Sequence, residues 1–504
     1  MWSVRRLGIL ALLGLIACEG APPAGRPVLL VTLDTVSADR VGAWGDVEAR
    51  TSQLDRWARR GIAVRDAIAP TPMTLPSHAT ILSGLDPTRH GVRENGFYRF
   101  PDELRTLAER FDGPSAAFVG AYPLVARFGL AEGFDLYDDR CETSAGARPP
   151  ERAAGEVLAA ASDWLDRAPR NRNLLVWIHL YDAHYPYRPP APFDRAAPDP
   201  YRGEIAALDS RLARFARRES VRDATWIVVG DHGESLGAHG EITHSLFVYD
   251  VTQRVPGLVC GPDIPPRLEE TPRPLRDVAP TVLTALGLPA ADLPGVPLQS
   301  SSSERAAWIE SAHAFLLRGA SPLFGIRERN WKYVLAPRPE LYDLRHDPGE
   351  TRNVVADHPE EARRLEDAIR DVLATAVPLE PVAGDPEVAE RLRALGYVGD
   401  PRSPVSPLRD PKDLAESLAA LWHGEQAWKD GDATRALPHL EEAIRLDPRN
   451  KEAHAYLMSV YASRGEWDRA RVAGERALEL PPPTVDAAIR EGLAAIERAT
   501  ANRR

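Results

Sequence analysis

Three apolar segments of the chain are each closely followed by Asp or His, the residue types that bind divalent metals and transfer protons. The segments with their polar residues are 27–33 with Asp34, 173–180 with Asp182 and His184, and 225–230 with Asp231 and His232. Short runs rich in Val, Leu and Ile predict buried strands of a parallel sheet, whose carboxyl ends meet at one edge. A general preference for polar loops does not predict metal-ligand types after every such strand. The pattern therefore predicts a metal site at that edge.

Each of these residues also has a simpler interpretation when it is taken alone. Asp34 could cap the helix that follows its strand, and His184 could be an ordinary residue of an aromatic loop. The pair Asp231 and His232 could form a polar turn after a strand. The joint occurrence of the three motifs favours the metal site over these separate explanations.

Residues 74–84 (TLPSHATILSG) provide a candidate nucleophile. Pro76 suits the first turn of a helix and Gly84 suits its end, so Thr74 is expected at the helix N-terminus. Free N–H groups and the helix dipole favour an anion there, and a metal ion can help a hydroxyl lose its proton. On this segment alone, an ordinary helix cap is the better explanation of Thr74.

A set of motifs in consistent order resembles the sulfatase branch of the alkaline-phosphatase superfamily. The motifs are 31–35 (VTLDT), 74–84, 89–92 (RHGV), 231–234 (DHGE), 341–344 (LYDL), 347–350 (DPGE) and 395–397 (LGY). The resemblance implies an α/β catalytic domain over residues 27–300, with a mostly parallel sheet between helices. It also implies a small α+β subdomain over 301–400 and metal-dependent hydrolysis of phosphoric or sulfuric esters.

The chain departs from the sulfatase pattern at residues that matter for chemistry. Thr74 stands where sulfatases carry a Cys or Ser that is oxidised to formylglycine, and the methyl group on its Cβ prevents that oxidation. The resemblance to superfamily members with a Thr nucleophile therefore favours phosphoesters. His78 replaces an Arg and lacks its planar fork, while Thr35 replaces a second Asp and His244 replaces a Lys.

Residues 231–237 (DHGESLG), with His244 downstream, also resemble the phosphoethanolamine transferases of the superfamily. By this resemblance a first metal ion is held by Asp34, Thr74, Asp231 and His232. A second metal ion or the substrate would be bound by His184 and His244, with Asp182 and His179 as further candidates. The candidate catalytic residues are Thr74, His184 and His78. An imidazole ligand favours Zn²⁺ or Mn²⁺ over Ca²⁺.

The amino terminus predicts an exported, lipid-anchored protein of the bacterial cell envelope. Residues 1–6 are partly basic, and the apolar run 7–17 is too short to span a bilayer as a helix. Residues 15–18 (LIAC) resemble a bacterial lipobox, so 1–18 would be a signal peptide and Cys18 the lipidated residue. An uncleaved anchor is the alternative.

The net charge bears on which molecules the protein binds, and the cysteine content bears on whether it forms a disulfide. Lys and Arg number 62 against 73 Asp and Glu, which gives a net charge of −11 and does not favour nucleic-acid binding. The family resemblance implies instead an ester of a small molecule, lipid or glycan as the substrate. Cys141 and Cys260 are expected to be free thiols, although an oxidising compartment would permit them to pair.

Residues 401–411 contain four prolines and predict a linker to a separate unit over 412–500. Ala436 and Ala470, Ala443 and Ala477, and Pro448 and Pro482 are each 34 residues apart. This period resembles tetratricopeptide repeats, with a final helix over about 484–499. Two repeats are too few for independent stability, so we expect the unit to dock on the catalytic domain or a protein partner. A plain helical extension is the alternative.

Three functions remain open from the sequence. The first is an exported hydrolase of phosphoesters or sulfoesters with a Thr nucleophile. The second is a phosphoethanolamine-type transferase, and the third is an inactive sulfatase-like scaffold that acts through its repeats. A scaffold would be expected to lose metal ligands, whereas this chain has a usable ligand type at every matched position.

Overall fold

The computed structural model of the protein describes residues 25–141, 151–301, 305–379, 408–480 and 486–501. The signal peptide predicted over 1–18, the lipidation site Cys18 and the motif 395–397 lie outside these residues and stay predictions. In the described part of the chain, no helix is both long and apolar enough to cross a bilayer.

A nine-stranded, mostly parallel sheet forms the centre of the α/β domain. Its strands are β1 (Pro27–Leu33), β2 (Ile62–Ile68), β3 (Ser115–Phe118), β4 (Leu136–Asp138), β5 (Leu174–Leu180), β6 (Thr225–Gly230), β7 (Arg254–Cys260), β8 (Arg267–Glu269) and β9 (Arg273–Pro274). The order is β4-β3-β5-β1-β6-β7-β2-β8, and β9 pairs with β2. Strand β7 is antiparallel to both of its neighbours. The predicted fold class is thus confirmed.

The three strands predicted from the sequence, β1, β5 and β6, lie side by side at the centre of the sheet. Leu33 at the end of β1 is in register with Leu180 of β5 and Gly230 of β6. All of β1 and β5 is buried, as expected for parallel strands covered on both faces. The three strands therefore end at the same edge, and the residues that follow them meet there.

Helices pack on both faces of the sheet. They are Ser52–Arg60, Thr74–Ser83, Pro87–His90, Ala154–Arg167, Phe193–Ala196, Pro200–Phe215, Asp250–Gln253 and Val278–Ala285. Side chains of β1 alternate between two apolar clusters, with Leu30 in one and Leu29 in the other. Helix Thr74–Ser83, called the Thr74 helix below, is buried along its whole length and ends at Gly84 with a left-handed φ of 74°.

The expected α+β subdomain follows the α/β domain. It contains strands β10 (Ala307–Ser311), β11 (Leu323–Arg327), β12 (Trp331–Leu335) and β13 (Glu340–Asp343) and helices His313–Arg318 and Pro359–Leu373. The strands form an antiparallel sheet in sequence order. Lys332 of β12 is fully buried and lies 2.9 Å from Asp250 and 2.8 Å from Glu350. The ion pair with Asp250 joins the subdomain to the α/β domain, whereas Glu350 belongs to the subdomain itself.

Five helices form the C-terminal unit, as the repeat pattern predicts. They are Ala415–Lys429, Ala433–Leu446, Lys451–Ser463, Trp467–Glu479 and Asp486–Ala501. The small periodic residues, such as Ala436 and Ala470, are fully buried between helices. At Gly424 a Cβ atom would lie 2.7 Å from the side chain of Leu440, so only glycine permits this approach of the first two helices.

The repeat unit docks on the rest of the protein, and the end of the predicted linker takes part. Within residues 408–411, Asp410 is buried and accepts a hydrogen bond from the Arg338 backbone N–H at 2.9 Å. Leu414 belongs to an apolar cluster that also contains Leu246 of the α/β domain. Residues 408–411 are thus part of the docked surface, whereas 401–407 lie outside the described residues.

The two cysteines of the described residues, Cys141 and Cys260, are both free thiols, as expected. Cys260 is half-buried at the end of β7 rather than fully buried, because it is the last residue of its strand. Burial raises the pKa of the Cys141 thiol to about 12. Neither thiol is therefore a ready nucleophile at neutral pH.

We predict that Leu414→Ala lowers the free energy of unfolding by about 2–4 kcal/mol, because it leaves a cavity where the repeats meet the α/β domain. Leu414 is only 2% exposed, whereas Val472 of the repeat unit is 57% exposed. Val472→Ala is therefore the control and should change stability by less than about 0.5 kcal/mol. Denaturant unfolding of the full chain provides the measurement. Equal stabilities of the two variants would show that docking contributes little.

Candidate active site at the sheet edge

Two buried carboxylates, Asp34 and Asp231, lie at the centre of the predicted edge, and both side chains are fully buried. Asp231 Oδ1 accepts hydrogen bonds from the backbone N–H groups of Thr35 at 3.1 Å and His232 at 2.7 Å. Within the described residues, Asp34 Oδ1 and Asp231 Oδ2 have no hydrogen-bond partner. A buried carboxylate oxygen without a partner is costly, so this arrangement calls for a cation.

His232 completes a group of ligand atoms with the two carboxylates. One atom from each of Asp34, Asp231 and His232 lies within 4.8 Å of the others. His232 Nδ1 lies 3.0 Å from the Gly233 carbonyl and donates to it, which leaves Nε2 able to bind a metal. Thr74 Oγ1 is 3.5 Å from that Nε2. The four predicted ligands of the first metal therefore converge, and their donor types fit Zn²⁺ or Mn²⁺.

The protonation equilibria of this group depend on its burial. Burial raises the pKa of Asp34 to about 7. Burial, reinforced by the charge of Asp34, raises the pKa of Asp231 as well. Burial also lowers the pKa of His232 well below its usual value, and a charge on His244 adds to this effect. A cation would relieve the repulsion between the carboxylates and bind the neutral imidazole.

The Thr74 helix is held with its first residue at this group. The backbone N–H of Leu75 donates to Asn95 Oδ1 at 2.8 Å, and Ser77 Oγ donates to the Asp231 carbonyl at 2.7 Å. Asn95 Nδ2 is buried and has no partner among the described residues, so it can donate to a substrate oxygen. The sequence analysis missed Asn95, although it follows the RHGV motif by three residues.

His78 and His179 lie close to the carboxylates, but protein groups occupy both nitrogens of each ring. His78 Nδ1 is 2.8 Å from the Thr74 carbonyl, and Nε2 is 3.0 Å from Thr32 Oγ1. His179 Nε2 is 3.1 Å from Asp34 Oδ2, and Nδ1 accepts from a backbone N–H at 3.3 Å. His78 and His179 lie close enough to Asp231 to share a metal ion with it. Because their ring nitrogens already have protein partners, the two histidines are better suited to orient the Thr74 helix and Asp34.

His184 and His244 form the other side of the site. Their ring centroids are 5.2 Å apart, and the ring of His244 is 4.6 Å from that of His232. His184 Nδ1 donates to the Tyr185 carbonyl at 2.7 Å, so Nε2 carries no proton in the neutral ring. Burial, with His244 contributing, lowers the pKa of His184 to about 3. His184 is thus a neutral imidazole at physiological pH.

Glu234, which the sequence analysis did not single out, sets the charge of His244. Its Oε1 lies 3.0 Å from His244 Nδ1, and its Oε2 accepts a hydrogen bond from the Tyr187 hydroxyl at 2.8 Å. Although burial alone would lower the pKa of His244, the carboxylate of Glu234 raises it above the usual value. His244 therefore retains a proton more readily than an exposed histidine. Glu234 is the last residue of the DHGE motif, so the sequence did contain a signal for it.

Asp182 does not join the site. Its Oδ2 accepts a hydrogen bond from the Ala154 backbone N–H at 2.6 Å, and its Oδ1 lies 2.8 Å from Arg211. The side chain thus caps the start of helix Ala154–Arg167 and forms an ion pair with a neighbouring guanidinium. Asp182 follows its strand by two residues, whereas Asp34 and Asp231 follow theirs directly, and it is removed from the candidate ligands.

A family model described as Sulfatase matches residues 26–288, more than half of the chain. The protein belongs to the sulfatase family. A second model, described as Tetratricopeptide repeat, matches residues 427–496 and confirms the repeat pattern of the C-terminal unit.

Curated relatives of this sulfatase-family protein act on different sulfate esters. The chain is 23% identical over 425 residues to a Δ4,5-hexuronate-2-O-sulfatase of Bacteroides thetaiotaomicron, covering 68% of this chain and 88% of the relative. It is 32% identical over 173 residues to a choline-sulfatase of Rhizobium meliloti, covering 31% of this chain and 32% of the relative.

Solved structures with the same fold include a phosphorus-ester enzyme. The phosphonate monoester hydrolase of Agrobacterium radiobacter matches with a TM-score of 0.58 and 20% identity, over 70% of this chain and 96% of that chain. A 2-O glycosaminoglycan sulfatase matches with a TM-score of 0.55 and 19% identity, over 75% of this chain and 98% of that chain. At this identity the likeness shows the fold alone.

We predict that metal-free protein loses stability as the pH rises from about 4 to about 7. The pKa of Asp34 is about 7 in the folded protein against an ordinary value of 3.8, so the folded state binds this proton more tightly. Stability supplied by that proton is lost as Asp34 ionises, and Zn²⁺ or Mn²⁺ should restore it most above about pH 7. Thermal melts of chelator-treated protein, with and without added metal, provide the measurement.

Asp34→Asn is the matched control for this prediction. It removes one of the two repelling carboxylates, so it should flatten the pH dependence and weaken the stabilisation by metal. A melting temperature that does not respond to either metal above about pH 7 would contradict the metal site.

Proposed function

We propose that the protein is a metal-dependent hydrolase of phosphoric or sulfuric esters that uses Thr74 as its nucleophile. The observation that carries the proposal is the position of Thr74. It begins a buried helix beside Asp34, Asp231 and His232, whose unpartnered carboxylate oxygens call for a cation. Membership of the sulfatase family supports ester hydrolysis at this site. The convergence of all four predicted ligands supports an enzyme over an inactive scaffold.

A divalent ion held by Asp34, Asp231 and His232 would make the Thr74 hydroxyl more acidic and offset negative charge on the ester. Thr74 Oγ1 releases its proton to solvent and attacks the phosphorus or sulfur atom. A bond forms between that oxygen and the central atom while the bond to the leaving oxygen breaks. Asn95 Nδ2 can donate to an ester oxygen as its charge grows, and the dipole of the Thr74 helix favours that charge.

The outer histidines provide the proton transfers of this reaction. His244, which Glu234 keeps in its protonated form, donates a proton to the leaving oxygen. His184 is neutral and accepts a proton from the water that hydrolyses the ester on Thr74. Water attacks the central atom, the bond to Thr74 Oγ1 breaks, and His184 passes the proton from water to that oxygen, which regenerates the threonine hydroxyl. His244 regains its proton from solvent.

Phosphoesters and phosphonate esters are the substrates that this nucleophile favours. A formylglycine cannot form from Thr74, so the enzyme must release its product by hydrolysis of a threonine ester. The same fold is found in a phosphonate monoester hydrolase, so the fold is compatible with chemistry at a phosphorus centre. The sequence resemblance to phosphoethanolamine transferases supports the same centre, with an alcohol rather than water as acceptor for those proteins.

We predict that Thr74→Val, which removes the attacking oxygen but keeps the shape, lowers kcat/KM by roughly 10³-fold or more. Thr74→Ser keeps the oxygen and should retain part of the activity. Thr80→Val is the control, because Thr80 lies on the same helix and binds His90 instead. The measurement is hydrolysis of nitrophenyl phosphate, phosphate diester, phosphonate and sulfate with Zn²⁺ or Mn²⁺. Mass spectrometry of trapped protein should locate the added group on Thr74.

Full activity of Thr74→Val would refute nucleophilic catalysis by this residue. A sulfatase activity that exceeds the phosphodiesterase and phosphonate activities would overturn the preferred substrate class. That second outcome would leave the proposed metal site intact.

We predict that His244→Ala lowers kcat/KM by about 10²–10⁴-fold for alkyl esters, whose leaving oxygens need a proton, and by less for nitrophenyl esters. His239→Ala is the control, because His239 is in the same loop but stacks on Tyr249 at a centroid distance of 3.7 Å. An equal loss for both classes of leaving group would show that His244 binds a metal or the substrate instead of donating the proton.

A further inference from the structure

The first repeat helix, Ala415–Lys429, lies across both loops that carry the outer histidines. Near its C-terminal end, Gln426 Oε1 accepts a hydrogen bond from the Tyr185 hydroxyl at 3.0 Å. The ring of Trp422 meets the ring of Tyr185 edge-on, with centroids 5.3 Å apart. At its N-terminal end, Ala415 packs in the same apolar cluster as Leu246, two residues after His244. One helix thus contacts both loops.

The contacting residues of this helix occupy one face. Ala415, Leu418, Trp422 and Gln426 follow one another at intervals of three or four residues, which places them in one stripe of an α-helix. Leu418 packs against the apolar cluster that contains Leu246. The stripe continues for nearly three turns, so the helix meets the α/β domain along most of its length.

Tyr185 connects this helix to His184. The two residues are adjacent, and the Tyr185 carbonyl accepts the hydrogen bond from His184 Nδ1 at 2.7 Å. That hydrogen bond sets the tautomer and the orientation of the imidazole ring. Any shift of the Tyr185 backbone therefore moves the acceptor that orients His184.

Tyr185 also connects the helix to His244. Its ring meets the ring of Tyr187 edge-on at a centroid distance of 5.6 Å. The Tyr187 hydroxyl donates to Glu234 Oε2 at 2.8 Å, and Glu234 Oε1 lies 3.0 Å from His244 Nδ1. A continuous series of contacts thus runs from the repeat unit to both outer histidines.

We propose that the first repeat helix is a positioning element of the active site. Trp422 and Gln426 hold Tyr185, and Tyr185 in turn holds His184 and supports the Glu234–His244 pair. Neither repeat residue contacts the group around Thr74, so both act through Tyr185. The kinetic part of this inference rests on the proposed function, whereas the restraint on the Tyr185 loop does not.

The attachment of the repeat unit can be altered without touching Tyr185. Arg318 of the smaller subdomain forms an ion pair of 2.6 Å with Glu452 of the third repeat helix. Both side chains are largely buried, so loss of the pair should weaken docking. Arg318→Met is therefore the matched control, because it lowers docking stability while leaving the contacts of Trp422 and Gln426 in place.

Full-length Trp422→Ala should lower kcat by about 10-fold or more, since a small misplacement of a catalytic group is costly, while KM changes much less. Trp422→Phe keeps an aromatic ring against Tyr185 and should restore most of the rate. Arg318→Met should lower the melting temperature without lowering kcat. Hydrogen exchange of residues 181–190 should become faster in Trp422→Ala and stay unchanged in Arg318→Met.

Two results would overturn the inference. The first is unchanged exchange of residues 181–190 in Trp422→Ala, which would show that the helix does not restrain the loop. The second is an equal loss of kcat in Trp422→Ala and Arg318→Met, which would show that the loss comes from weaker docking of the repeat unit and not from the contact with Tyr185. If the wild-type protein hydrolyses no ester, the proposed function fails, and hydrogen exchange alone still decides whether the helix restrains the loop.

Discussion

The repulsion between two buried carboxylates, Asp34 and Asp231, is the constraint on which the site depends. Two central strands of the sheet end side by side and place both side chains in a space without water-accessible surface. Their unpartnered oxygens make the site electrostatically incomplete without a cation. The surrounding residues are suited to a cation at this point. His232 adds a third potential ligand atom, and the N-terminus of the Thr74 helix lies beside it.

The sequence predicts the strand ends because two signals coincide there. Apolar runs such as 27–33 and 225–230 are long enough to identify buried strands, and parallel pairing then brings the following residues together. Thr74 is predictable because Pro76 and Gly84 bracket its helix. These signals are local in the chain and predict where Asp34, Asp231 and Thr74 lie, whereas the assignment of the first-metal ligands and of a Thr nucleophile comes from the family resemblance.

The role of a residue is harder to predict from sequence when it depends on the direction in which the side chain points. Asp182 lies two residues past the end of a strand, yet its carboxylate turns to the start of a helix and to Arg211. His78 has a ligand side chain, but its two nitrogens are occupied by Thr74 and Thr32. Asn95 and Glu234 matter through contacts across the fold, which single-sequence patterns do not encode. The docked face of the repeats was undetectable for the same reason, since its partners lie far away in the chain.

Contact between Tyr185 and Gln426 joins residues that are 241 positions apart in the chain. A ribosome therefore completes the strand ends, the Thr74 helix and both outer histidines well before it makes the helix that holds Tyr185. During that interval the emerging polypeptide has every chemical group of the site but lacks the support of the first repeat helix. Synthesis from the amino terminus thus delays a fully ordered active site until the first repeat helix has been made.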